Sequence, residues 1–220
     1  MSDLQRVEQY FSRSAAAFDA LYAEDQAHPL MRFVNKTFRS DIYERFVLSL
    51  KHVQQHRLHS ALDVGCGSGR YAHAFAQLAL SRIVGLDVSQ KMIKLAIEST
   101  GEAQGDGGTL EFVCCDFGAF RTDETFDVVL AMGFFDYVKD PIPVLKRMKE
   151  LATHSVIASF PSISIYRTPI RKVRYYFKKC PVYFYRRHQI LSCAREVGFS
   201  RCDVKKIRGA GMDYFVTFFR

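Results

Sequence analysis

The chain's chemistry is most concentrated in ten residues, Ala61-Leu62-Asp63-Val64-Gly65-Cys66-Gly67-Ser68-Gly69-Arg70. They read as a short buried strand running into a glycine-rich turn. Glycines at alternate positions let the backbone approach a ligand and adopt conformations closed to other residues. The turn opens a helix, whose first N–H groups have no partner within it and favour a polar or anionic group. This pattern suits a nucleotide-like cofactor. Gly-x-Gly-x-Gly is tighter than the Gly-x-Gly-x-x-Gly of a dinucleotide site. Asp63 stands two residues before the first glycine. Asp87 closes the next strand, in Val84-Gly85-Leu86-Asp87, where an acid is placed to take both hydroxyls of a ribose. Asp116 follows a third strand in Val113-Cys114-Cys115-Asp116-Phe117. There it can accept from an adenine amino group while Phe117 lies against the ring. Asp127 and Gly85 read as structural, and Cys66 as a small turn residue rather than a nucleophile.

These residues need a scaffold that alternates strands and helices. A helix is expected over Val7–Ala23, with Tyr10, Phe11, Ala15, Phe18 and Tyr22 near one face, and a second from Pro29 to about His52. Strands follow at Ser60–Val64, Arg82–Leu86, Leu110–Cys114, Phe126–Ala131 and Ser155–Phe160. Helices are expected over Gly69–Leu80, Gln90–Ser99 with Ser89 as N-cap, Ile142–Leu151, and Ile190–Val197 closed by Gly198. Gly101–Gly108 reads as a polar turn. Cys202–Ile207 and Tyr214–Phe219, joined through Gly209-Ala210-Gly211, read as an antiparallel pair at one sheet edge. The alternation predicts an α/β fold with a mostly parallel sheet covered on both faces.

In motif order and spacing the chain resembles the class I S-adenosylmethionine-dependent methyltransferases. The likeness rests on Leu62–Gly69, Gly85–Met92, Cys115-Asp116-Phe117 and Phe126-Asp127-Val128-Val129. It implies a Rossmann-like, seven-stranded sheet whose last strand inserts antiparallel. It also implies that the turn carrying Gly65, Gly67 and Gly69, with Asp63, receives the methionine part of S-adenosylmethionine. Asp87 would bind ribose, Val88 and Met92 would flank adenine, and Asp116 with Phe117 would hold its edge. Ala131, Met132 and Gly133 would line the methyl-donor end, and S-adenosylhomocysteine would be the product. The segment Ala131–Tyr137 lacks the Asn/Asp-Pro-Pro-aromatic motif of amino-methylating nucleic-acid enzymes. Cys180-Pro181 reverses the Pro-Cys of cytosine-C5 enzymes. What remains resembles the small-molecule methyltransferases. Ala158–Pro161 and Gly211–Phe215 are loosely similar to magnesium-protoporphyrin O-methyltransferases. That likeness suggests that Tyr10 caps the cofactor, without carrying the porphyrin over as substrate.

The division expected is a helical lid at 1–55 and a methyltransferase domain at 56–220, with a basic insertion at about 161–188. The net charge of +8 is concentrated: Leu151–Arg195 has no Asp or Glu and nine Lys and Arg. The remainder is close to neutral, so the basicity does not argue for nucleic acid in general. In the insertion, Arg167, Arg171, Arg174 and Lys178 form a stripe beside Tyr166, Ile170, Val173 and Phe177. Three readings stand: a solvated charged face, a substrate cap in which Tyr183 and Tyr185 face an apolar body, and an interfacial helix on anionic lipid. Asp136, Tyr137 and His188 are the candidate catalytic groups. The expected activity is methyl transfer to oxygen or nitrogen of a small anionic or amphipathic molecule. The rivals are an RNA methyltransferase using the basic cap and a cofactor-binding scaffold for a partner enzyme. The six cysteines follow no zinc or disulfide spacing, and no metal is expected. Without a spanning run or a signal-peptide pattern, a cytoplasmic protein is expected.

Overall fold

A computed structural model describes residues 5–12, 29–102, 108–163, 168–169, 173, 180–207 and 213–220. Residues 5–12 are helical (α1), followed by α2 (Pro29–Gln55), β1 (Ser60–Val64), α3 (Arg70–Gln77), β2 (Arg82–Asp87) and α4 (Gln90–Glu98). Then come β3 (Thr109–Cys114), β4 (Phe126–Ala131), α5 (Pro141–Leu151), β5 (Ala152–Phe160), α6 (Arg187–Val197), β6 (Arg201–Lys206) and β7 (Tyr214–Phe219). The seven strands form one sheet in the order β3-β2-β1-β4-β5-β7-β6. The pairs from β3 to β5 are parallel, and β7 runs antiparallel between β5 and β6. The closing hairpin thus lies at an edge as expected, with its second strand on the inside.

Strand order reverses between β1 and its neighbours, and a crevice opens at the carboxyl ends of strands at such a switch point. Asp63 lies there, in register with Gly85 on β2 and Leu130 on β4. Central strands are continuous apolar runs because both faces are covered. On one face Leu62, Val64, Val129 and Val156 pack with Leu145 and Met148 of α5 and with Ile190 and Ala194 of α6. On the other, Ala61, Ile83, Val128 and Ile157 pack with Val53 of α2 and with Ala72 and Phe75 of α3. Gly85 is a packing requirement: a Cβ there would stand 2.6 Å from the Phe112 ring. Asp127 is also structural, accepting from the His59 and Ser60 amides at 2.7 and 3.2 Å and from the Thr153 hydroxyl at 3.0 Å.

Helix ends depart from the sequence reading where a left-handed residue stops the chain without glycine. Ala79, at φ 57°, ends α3 early and turns Leu80 back into the core. Arg57, at φ 52°, does the same beyond α2, where the Leu58 amide reaches the Val53 carbonyl at 3.0 Å. Ser89 occupies the N-cap of α4, yet its hydroxyl makes no capping bond. At the far end of the sheet His52 Nε2 meets Ser155 Oγ at 2.7 Å, and the rings of His52, His56 and His154 gather there. Burial, and then the two neighbouring histidines, lower the His52 pKa to about 4. Among the described residues no helix is long and apolar enough to cross a membrane.

Candidate functional site

The glycine turn is tied to β2 by two bonds to one carbonyl. The Gly65 and Cys66 amides donate to Leu86 O at 2.8 and 2.9 Å. Gly65, Gly67 and Gly69 all have positive φ, at 74°, 57° and 81°. A side chain at Gly65 or Gly69 would also press on Phe134 or Phe112, whereas Gly67 looks into open space. Asp87 anchors this turn from across the crevice. Its Oδ2 accepts from the Gly67 amide at 3.0 Å and its Oδ1 from the Ser89 amide at 2.8 Å. Burial raises its pKa, and bonds from the Ser89, Gly67 and Val88 amides draw it back. Beneath the turn, Asp63 is 1% exposed and its Oδ2 has no hydrogen-bond partner. Burial first, and then the charge of Asp87, push its pKa up to about 7. A buried carboxylate oxygen left unsatisfied is costly, which marks a place for an outside donor.

Helix α1 lies over the crevice. Ser12 Oγ is 3.1 Å from Ser89 Oγ, which explains why Ser89 does not cap α4. Phe11 meets Tyr137 edge to face at 5.4 Å and Tyr10 at 5.2 Å. Thus α1 reaches from the head of α4 to the turn after β4, and Tyr10 is half-buried. At the end of β4, Ala131 is fully buried and Met132 half-buried. Gly133, at φ 78°, has open space where a Cβ would be. Its amide donates to Ser159 Oγ at 2.7 Å, and Arg45 Nη1 donates to the same oxygen at 3.0 Å. Asp136 is 6% exposed in the short helical turn Phe135–Tyr137. Its carbonyl accepts from the Tyr183 amide at 2.8 Å, which brings the descending arm of the insertion against this turn.

The other expected site residues differ in burial and in bonding. Met92 is 0% exposed and Phe117 5% exposed, so both side chains serve the core rather than offering a face to a ring. Val88, just beyond β2, is half-buried. Asp116 uses Oδ1 to accept from the Gly118 amide at 3.1 Å, holding its own turn. Tyr185 is buried, and its hydroxyl donates to the Val138 carbonyl. Burial raises its pKa, and the bond to Val138 makes it a strut between the arm and the turn after β4. Tyr183 is half-buried beside it. His188 is exposed in the first turn of α6, whereas Asp136 is buried. Arg167, Arg171 and Arg174 of the expected cap, and residues 13–28 of the expected lid, lie outside the described residues. No group of three metal-binding side chains occurs among the described residues. Arg45, Ser159 and the hydroxyl of Ser89 had no signal in the sequence, because each looks like an ordinary member of a helix, a buried strand or a cap.

Residues 62–156 match the family described as "Methyltransferase domain". The chain is 36% identical over 141 residues to the ubiquinone biosynthesis O-methyltransferase of Parvibaculum lavamentivorans, covering 60% of this chain and 54% of that one. It is 30% identical over 94 residues to nodulation protein S of Bradyrhizobium diazoefficiens, 43% of each chain. The chain thus spans about half the length of these curated relatives. Among solved structures, magnesium protoporphyrin IX methyltransferase from Synechocystis PCC 6803 with bound SAH superposes with a TM-score of 0.81 over 100% of both chains, at 20% identity. The same enzyme with bound SAM gives 0.78 at 18% identity, covering 100% of this chain and 98% of that one. The overall fold is thus shared with those structures, and the glycine turn falls inside the stretch of this chain that is similar to a methyltransferase domain.

Proposed function

We propose that the protein transfers the methyl group of S-adenosylmethionine to an oxygen or nitrogen of a small molecule and releases S-adenosylhomocysteine. The observation that carries this reading is the carboxylate pair, Asp87 across the turn and Asp63 beneath it. The site fits the cofactor on two counts. Asp63 Oδ2 lacks a donor that an ammonium or hydroxyl would supply, and Gly67 leaves its side of the turn open. Asp87 would accept the ribose hydroxyls with the lone pairs its two amide bonds leave. Val88 would flank the base, Asp116 would meet its amino edge, and Tyr10 on α1 would cover it. Ala131, Met132 and Gly133 would border the methyl-donor end.

When bound, S-adenosylmethionine supplies an electrophilic methyl carbon on a sulfonium. The chain's own task is to hold a nucleophile in line with that carbon and to keep water out, and such orientation is worth roughly 7–11 kcal/mol. Phe11 and Tyr137 would close the crevice above it. For a hydroxyl acceptor, the Asp136 carboxylate would take the proton. The name of the Parvibaculum relative favours oxygen as the acceptor atom. Six free cysteines accord with a reducing, cytoplasmic setting.

Isothermal titration tests the reading. S-adenosylmethionine and S-adenosylhomocysteine should bind, and NAD should not. Asp87→Ala should weaken both by at least about a hundredfold, since hydrogen bonds to a charged group contribute a net of roughly 1.5–3 kcal/mol each. Unchanged affinity in that variant would refute the ribose assignment.

A further inference from the structure

Two successive phenylalanines beyond β4 are used differently. Phe135 is 0% exposed and stacks on Phe160 at 4.3 Å, so it belongs to the core. Phe134 is half-buried. It meets Phe135 edge to face at 5.7 Å, and its side chain lies on the glycine turn. A Cβ built on Gly65 would stand 3.0 Å from Phe134 Cδ2, and its three nearest atoms would all be those of Phe134. Gly133, at φ 78°, turns the chain just before this ring, and the Tyr137 amide donates to the Phe134 carbonyl at 3.1 Å.

Gly65 stands midway between the anchor points of the two acids. Asp63 precedes it on β1, and Gly67, whose amide is held by Asp87, follows it. The cofactor has the same order of parts, because its sulfur lies between the amino-acid end and the ribose. An S-adenosylmethionine held by its ammonium at Asp63 and by its ribose at Asp87 would carry its sulfonium across the stretch that Phe134 covers. Leucine or methionine could supply apolar bulk there. An aromatic ring adds a face of negative potential, which attracts a cation. Methyl transfer removes that cation: the acceptor's lone pair takes the methyl carbon, the S–C bonding pair returns to sulfur, and a neutral thioether is left.

We infer that Phe134 holds the sulfonium against its ring, and so makes the site prefer the charged methyl donor over the neutral product. The inference rests on the methyl-transfer reading above. The contact strengthens donor binding and lapses with the charge, which favours product release.

The test is isothermal titration of the full chain with S-adenosylmethionine and with S-adenosylhomocysteine, beside a thermal melt, for wild type, Phe134→Leu and Phe134→Tyr. Leucine keeps apolar bulk without a π-face, and tyrosine keeps the face. Phe134→Leu should weaken S-adenosylmethionine about three- to tenfold more than S-adenosylhomocysteine, the loss expected for a partly desolvated cation–π contact. Phe134→Tyr should keep the wild-type ratio of the two constants. If Phe134→Leu loses its cooperative melt, Phe134→Met carries the same expectation. An unchanged ratio in the aliphatic variant, with both ligands weakened alike or neither, would overturn the assignment and leave the cofactor reading intact, since apolar packing serves both ligands equally. A tyrosine variant that loses the ratio as leucine does would overturn it too. Failure of wild type to bind either ligand would overturn both readings.

Discussion

Asp63 and Asp87 differ because only one is answered by the backbone. Asp87 receives the Gly67 and Ser89 amides and helps to hold the turn. Asp63 has an oxygen with no donor, and its pKa rises from 3.8 to about 7. Between those values the folded state binds more protons than the unfolded chain, so this residue removes stability as pH rises from about 4 to 7. His52 works in the opposite sense. Its pKa is lowered from 6.5 to about 4, so it removes stability as pH falls through that window. Asp63→Asn keeps the shape and deletes the first effect alone. The variant's advantage in melting temperature over wild type should widen by roughly 5–10 °C from pH 5 to pH 8, as about two pKa units correspond to nearly 3 kcal/mol. Scanning calorimetry at pH 5, 6.5 and 8 checks this, and a constant gap would mean that Asp63 stays ionised. The acids and glycines could be read from the sequence because their types and spacing carry the signal. Met92 and Phe117 could not be placed so, since an apolar residue beside a glycine turn serves core and ligand with the same composition, and only burial separates them.

Strand boundaries followed closely from apolar runs bounded by turn residues: Ser60–Val64, Phe126–Ala131 and Tyr214–Phe219 are as expected. Helix ends were less legible. Ala79 and Arg57 adopt the left-handed conformation that sequence reading assigns to glycine or asparagine, and packing of Leu80 and Leu58 offsets the strain. Contacts between distant elements had no signal at all. The covering position of α1 depends on Ser12 meeting Ser89, 77 residues away, and on Phe11 meeting Tyr137. Aromatic edge contacts of this kind contribute about 0.5–1.5 kcal/mol. Phe11→Ala should therefore raise the dissociation constant for S-adenosylmethionine about three- to tenfold with little change in melting temperature. Titration beside a thermal melt separates the two, and a large loss of stability would make α1 part of the fold rather than a cover. Tyr185 taught the converse. A tyrosine in a basic, aromatic stretch suggested a substrate wall, whereas its buried hydroxyl fastens the arm to the Val138 carbonyl.

The sheet as a whole keeps its structural work at one end and its proposed chemistry at the other. The histidines and Asp127 gather where β1, β4 and β5 begin, and the glycine turn, Asp87, Gly133 and Ser159 lie where strands finish. That division follows from parallel strands joined by helices, and it was foreseeable from the alternation alone. The position of β7 is different, because family likeness and not periodicity pointed to it. Its place between β5 and β6 has a consequence for how the protein is born. Synthesis proceeds from the amino terminus, and domains fold as units during it. When β6 leaves the ribosome, its partner does not yet exist, and the flank of β5 from Ser155 to Phe160 is bare. A nascent chain at that stage carries an open apolar strand edge, the kind that recruits other chains. Removing Asp213–Arg220 should trap it there, with Val216 and Phe218, both fully buried, taken from the core. Such a chain should sediment with aggregates on expression at 37 °C, and a soluble, cooperatively melting product would contradict this. The strand made after β6 is the wedge between it and β5, so translation must pass through a vulnerable interval in which everything needed for the cofactor turn has emerged and the molecule is still sticky.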